Sequence, residues 1–115
     1  MAFTGSCHCG AFSYTVEGDV PTEALACNCS ICRRKGTLLI FTAASNLTLS
    51  GSRDGLTGYR FNKKAIDHLF CDTCGCTLFG EGAMPDGTKT VAINLRCADL
   101  DLDALKIHHF DGASA

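Results

Sequence analysis

The sequence predicts a mainly β chain. No stretch sustains the 3.6-residue apolar period of a long helix, and short runs of β-branched and aromatic residues recur between glycine and proline turns. Nine cysteines in 115 residues, gathered in tight groups, add that metal cross-links reinforce a small core.

Taken in order, Gly5-Ser6-Cys7-His8-Cys9-Gly10 sets a C-x-C pair just ahead of Phe12–Val16. That run alternates apolar and polar residues, reads as a half-buried strand, and is ended by Gly18-Asp19 and Pro21. The pair thus opens the first strand. Cys27-Asn28-Cys29-Ser30-Ile31-Cys32 falls on a loop and short helical turn, followed directly by Arg33-Arg34-Lys35. Thr37–Thr42 reads as a buried strand, and Asn46–Ser50 as a short one with Leu47 and Leu49 on one face.

Gly51, Gly55 and Gly58 punctuate the next stretch. Tyr59–Phe61 and Ile66–Phe70 read as strands joined by a turn at Asn62-Lys63-Lys64. The second runs into Cys71-Asp72-Thr73-Cys74-Gly75-Cys76, a C-x-x-C followed by glycine, as in a zinc knuckle. Thr77–Phe79 and Thr90–Leu95 form a hairpin across Pro85-Asp86-Gly87. The acidic segment Asp99–Asp103 is a loop or one helical turn.

A chain of 115 residues and 12.2 kDa fits one domain, 1–115, and its 46% hydrophobic content is enough for a core and speaks against disorder. A net charge of -2 provides no field to draw a nucleic-acid backbone, so nucleic acid is not an expected partner. The longest apolar run, Leu38–Phe41, is far too short to cross a bilayer. Met1–Cys7 contains no apolar signal stretch, which points to the cytoplasm and to reduced, metal-bound thiols rather than disulfides.

Spacing sorts the thiols. Cys7, Cys9, Cys71 and Cys74 make two short chelating pairs, the usual construction of a closed, structural zinc site. Cys27, Cys29 and Cys32 offer three ligands, as at catalytic zinc, where the fourth position is kept for water or substrate. Cys76 and Cys97 read as core thiols, although either could supply a fourth ligand and close the second site. Arg33, Arg34 and Lys35 are candidate substrate-binding residues, since zinc with four thiolates carries excess negative charge. The alternative is a solvated basic turn. His8 points away from its neighbours' metal, His68 reads as a half-buried strand residue, and His108 and His109 as surface residues.

G-S-C-H-C-G at 5–10, C-N-C-S-I-C at 27–32 and H-L-F-C-D-T-C-G at 68–75 together resemble the family of glutathione-dependent formaldehyde-activating enzymes, which includes centromere protein V. The resemblance extends to Asn94-Leu95-Arg96-Cys97 and His108–Gly112. It implies small antiparallel sheets in a zinc-stabilised β-tent fold and two zinc ions. One is structural, on Cys7, Cys9, Cys71 and Cys74; the other is catalytic or exchangeable, on Cys27, Cys29 and Cys32.

The implied activity is that of a carbon-sulfur lyase handling adducts of a glutathione-like thiol with formaldehyde or another small aldehyde. Three thiolates leave zinc a poor Lewis acid for water, so thiol chemistry suits this site better than hydrolysis. The competing class is a non-catalytic, zinc-stabilised binding module for a protein partner.

Overall fold

Alternation of side chains decides which face each strand of this chain presents. The computed structural model describes residues 2–51, 53–59, 66–83 and 86–111. Its strands are β1 (Ala2–Ser6), β2 (Ser13–Glu17), β3 (Glu23–Cys27), β4 (Leu39–Ala43), β5 (Leu47–Ser50), β6 (Leu56–Tyr59), β7 (Asp67–Cys71), β8 (Thr77–Ala83), β9 (Lys89–Asn94) and β10 (Lys106–Phe110). One short helix, α1 (Ser30–Lys35), follows β3. The fold is mainly β, as the sequence predicts.

The strands form a three-stranded sheet, β1-β2-β5, and a seven-stranded sheet, β10-β3-β4-β9-β8-β7-β6. Every pairing between named strands is antiparallel except β3 with β10. Side chains on a strand alternate between faces, and here the alternation builds two different environments. Val91 and Ile93 of β9 join Phe3, Tyr14, Val16, Leu69, Leu78 and Leu95 in one buried cluster shared by both sheets. The residues between them, Ala92 and Asn94 of β9 with Leu39 and Phe41 of β4, line a cavity on the other face of the large sheet.

The joint between the sheets is tight. Asp99 N–H donates to the Thr4 carbonyl at 2.8 Å and the Thr4 hydroxyl to the Asp99 carboxylate at 2.9 Å. Tyr14 donates its hydroxyl to the Asn94 carbonyl at 3.2 Å. Gly5 lies under that ring: a Cβ there would stand 2.5 Å from both the Cys97 carbonyl oxygen and the Tyr14 hydroxyl. Only glycine fits so close an approach.

Several expectations need correction. β1 precedes the C-x-C pair, so Cys7 and Cys9 sit in the turn between β1 and β2 rather than opening the first strand. Thr37 and Leu38 are buried, but the strand that follows them is open on its cavity face, and Phe41 is 60% exposed. β6 begins at Leu56, earlier than expected; Arg60, Phe61 and the Asn62-Lys63-Lys64 turn lie outside the described residues, as does Pro85 of the hairpin turn. Gly87 in that turn has φ 91°.

β3 and β10 were not anticipated at all. Their parallel register pairs Ala24 with Ile107 and Cys27 with Phe110, and Glu23 meets His108 Nε2 at 2.9 Å.

Candidate metal centres

Two sets of sulfur atoms come together. The Sγ atoms of Cys7, Cys9, Cys71 and Cys74 all lie within 4.8 Å of one another, and so do those of Cys27, Cys29 and Cys32. Cys76 and Cys97 belong to neither group.

The first group joins the β1–β2 turn to the end of β7. Gly10, at φ 80°, lets the turn close, with Gly10 N–H on the Cys7 carbonyl at 3.2 Å and Cys7 N–H on the Phe12 carbonyl at 3.1 Å. Gly75, at φ 79°, does the same for the knuckle, with its N–H on the Cys71 carbonyl at 2.8 Å. Both turns need the left-handed conformation that glycine adopts freely. Cys9 Sγ stands 3.6 Å from both Cys7 Sγ and Cys71 Sγ.

Around a tetrahedral zinc with Zn–S of about 2.3 Å, neighbouring sulfurs are roughly 3.8 Å apart, whereas a disulfide needs about 2.05 Å. The donor set and spacing fit zinc.

Backbone N–H groups prepare these sulfurs for negative charge. The Phe12 N–H donates to Cys7 Sγ at 3.4 Å; burial pushes the Cys7 thiol up, yet this and the neighbouring hydrogen bonds leave its pKa lowered. The N–H groups of Cys76 and then Cys9 bring Cys74 down to about 5. Cys9 is pushed up to about 12: the Ala11 N–H works against the rise, while desolvation and the thiols of Cys7, Cys71 and Cys74 cause it. The thiols of this group are thus pulled in opposite directions, Cys9 toward the protonated form and Cys74 toward thiolate.

The second group is built by the end of β3 and the start of α1. Cys27 closes β3, and Cys29 is the N-cap residue of α1, its carbonyl accepting from Arg33 N–H at 3.0 Å. Cys29 N–H donates to Cys27 Sγ at 3.4 Å. Burial raises the Cys29 thiol, but the N–H groups of Cys32 and Ile31 and the neighbouring thiols leave it lowered. Cys32 is pushed up to about 12 by burial and by Cys29; the buried Thr37 hydroxyl, which meets no partner in hydrogen-bonding geometry, opposes that rise. α1 ends at Gly36, φ 68°, whose N–H returns to the Cys32 carbonyl at 2.9 Å. Arg96 Nε donates to the Gly36 carbonyl, fixing this end of the site against the turn after β9.

Among the described residues no fourth cysteine, histidine, aspartate or glutamate joins Cys27, Cys29 and Cys32, and the remaining residues of the chain include none of these types. All three cysteines line the cavity of about 220 Å³ on the free face of the large sheet.

The three basic residues are separated by the helix. Successive side chains on a helix point about 100° apart. Arg33 lines a second, more open cleft with Cys27, Asn28, His109, Phe110 and Asp111. Arg34 bonds back to the Ser30 carbonyl at 2.8 Å. Lys35 reaches the Thr77 hydroxyl at 2.8 Å, lies 5.1 Å from the Phe70 ring centroid and lines the main cavity. The other sorted residues lie where their neighbours dictate. His68 faces the cavity, its pKa lowered by burial and by Lys35. His8 and His109 are exposed. Cys97 Sγ donates to the Thr77 carbonyl at 3.4 Å, and burial pushes its thiol up to about 11.

Asn94 is the residue that sequence reading missed. Its Oδ1 accepts from Leu38 N–H at 3.3 Å and Arg96 N–H at 3.2 Å, and its Nδ2 donates to the Thr77 carbonyl at 2.8 Å. It thereby ties β4, β8 and β9 together at the cavity wall. The only signal was a polar residue ending an apolar strand.

A family model described as glutathione-dependent formaldehyde-activating enzyme matches residues 2–109. The chain belongs to that family. A crystal structure of a Rhodobacter sphaeroides protein is similar, with 26% sequence identity and a TM-score of 0.76, over 91% of this chain and 99% of that one. Both sulfur groups could hold a metal ion.

Proposed function

We propose that this protein is a zinc-dependent carbon-sulfur lyase-type enzyme that forms or cleaves adducts of a glutathione-like thiol with formaldehyde or another small aldehyde. Cys27, Cys29 and Cys32 would hold the catalytic zinc, and Cys7, Cys9, Cys71 and Cys74 a structural one. The observation that carries this reading is a three-sulfur group that no fourth cysteine, histidine, aspartate or glutamate joins among the described residues, facing a cavity. Zinc bound there would keep a substrate thiol in its thiolate form at neutral pH.

The chain's own residues do the rest. The reaction balances without oxidation or reduction: a bond forms between sulfur and the carbonyl carbon, the C=O π pair moves to oxygen, and the thiol proton ends on that oxygen. Three cysteine thiolates and a substrate thiolate concentrate negative charge, which Arg33 and Lys35 on the two sides of the site would offset. Arg33 would also meet a carboxylate of the thiol substrate in the polar cleft. The carbon walls of the cavity would hold bulk water away from the adduct.

Exchange between free aldehyde and its glutathione adduct, followed by NMR, tests this proposal. The expected result is exchange faster than the spontaneous rate for the zinc-loaded protein and at the spontaneous rate for a folded Cys29→Ser variant. Equal exchange with and without wild-type protein would refute it.

The second reading is a binding module for a protein partner, favoured by the exposure of Phe41 at 60%, Tyr59 at 48% and Phe110 at 48%. A Cys29→Ser protein that loses one zinc and still binds its partner would support that class.

A further inference from the structure

We infer that the aldehyde handled at the three-cysteine site carries an apolar substituent of about five or six carbons, or a phenyl ring, which fills the cavity beside the cysteines. This rests on the proposed thiol–aldehyde chemistry and names its substrate class.

The cavity of about 220 Å³ greatly exceeds what formaldehyde needs. An enclosed apolar cavity of roughly 150 Å³ already binds benzene, and this one, open where Phe41 is 60% exposed, has room for a group of that size. Its walls include Leu25, Leu39, Phe41, Phe79, Ala92 and Phe110.

Among the polar side chains around it, the buried Thr37 hydroxyl meets no partner, while those of Asn94, Lys35 and Thr77 are engaged. The Asn94 amide is hydrogen-bonded through both its oxygen and its nitrogen, and Lys35 and Thr77 are bonded to each other. Buried in such a space, the two carboxylates and the ammonium of glutathione would lose their hydration without replacement.

Polarity lies on the other side of Cys27. That residue and Phe110 form a shared wall, with the apolar cavity on one side and the cleft of Arg33, Asn28, His109 and Asp111 on the other. A thiol whose sulfur sits at the three cysteines can place its charged peptide in the cleft, leaving the carbonyl's substituent to the cavity. In the adduct, sulfur is bonded to a carbon bearing a hydroxyl, a hydrogen and this apolar group. It forms by the same redox-neutral addition.

The test compares hexanal with acetaldehyde, whose carbonyls are intrinsically similar, using glutathione and zinc-loaded protein, with spontaneous exchange subtracted. Four additional methylenes in an apolar pocket predict at least a ten-fold higher kcat/KM for hexanal. Ala92→Leu, which fills the cavity, should bring the ratio close to one by lowering kcat/KM for hexanal. Gly80→Val gives an independent filling, since a Cβ there has no neighbour closer than 3.5 Å.

Catalysis of both aldehydes with equal kcat/KM would overturn the inference and leave the thiol–aldehyde chemistry standing. If neither aldehyde is turned over, 1-hexanol decides. Shifts of the Leu39 and Ala92 amide resonances that vanish in Ala92→Leu would preserve the apolar-ligand assignment while the catalytic reading falls. No shift would end both.

Discussion

Cys9 and Cys71, 62 positions apart in sequence, bring their sulfur atoms within 3.6 Å and so fasten the turn of the small sheet to the edge region of the large one. A contact of that sequence separation is costly to close in entropy, and a metal clip repays it through binding free energy coupled to folding. Cys71→Ser should therefore destabilise the protein by about 3 kcal/mol or more, roughly a 15 °C fall in Tm for a domain of this size. Thermal melts with and without a strong chelator check this: the chelator should lower wild type by more than the variant, which has already lost this site.

Zinc binding should tighten as pH rises. In the metal-free protein Cys9 and Cys32, both pushed up to about 12, hold protons at neutral pH, whereas Cys74, at about 5, does not. Each site must then release at least one proton when it fills, so affinity falls on acidification. Calorimetry at pH 7 in two buffers of different ionisation enthalpy counts those protons; the expected total is two or more, and zero would contradict the assignment.

The basic residues after the three cysteines should not be equivalent. Arg33 faces the polar cleft and Arg34 folds back on Ser30. Arg33→Ala should raise KM for glutathione about three- to ten-fold, the modest range expected of a solvent-accessible pair with a carboxylate. Arg34→Ala should leave it within two-fold. Steady-state kinetics on the two variants separates them.

Gly5→Ala should destabilise by about 2–3 kcal/mol, the upper range for overpacking, because its methyl group would collide with the Cys97 carbonyl and the Tyr14 ring. Denaturant titration measures this. A neutral effect would mean that β1 can shift away from β2 without cost.

The cysteine groups were legible in the sequence because C-x-C and C-x-x-C are local patterns whose ligand reach is fixed by a few bonds. Strands β2, β5, β8 and β9 were legible for a similar reason: each carries its own alternation or β-branched run. Glu23–Cys27 and Lys106–Phe110 carry neither clearly; their pairing with each other across 83 residues, with β3 also joined to β4 at Leu25 and Leu39, makes them strands. The cavity was hidden because β4 is apolar on both faces. Leu39 and Phe41 read as buried, when in fact one face of that strand meets the core and the other the open site. Asn94 was hidden because its value lies in partners from β8 and the start of β4, which only folding supplies.

Counting zinc per folded chain by native mass spectrometry, with and without millimolar glutathione, bears most directly on the open three-cysteine centre. Two zinc ions are expected, with glutathione adding its mass to wild type but not to a Cys29→Ser protein that keeps a single zinc. One tightly held zinc in the wild type, indifferent to glutathione, would contradict an open thiol-binding site at Cys27, Cys29 and Cys32.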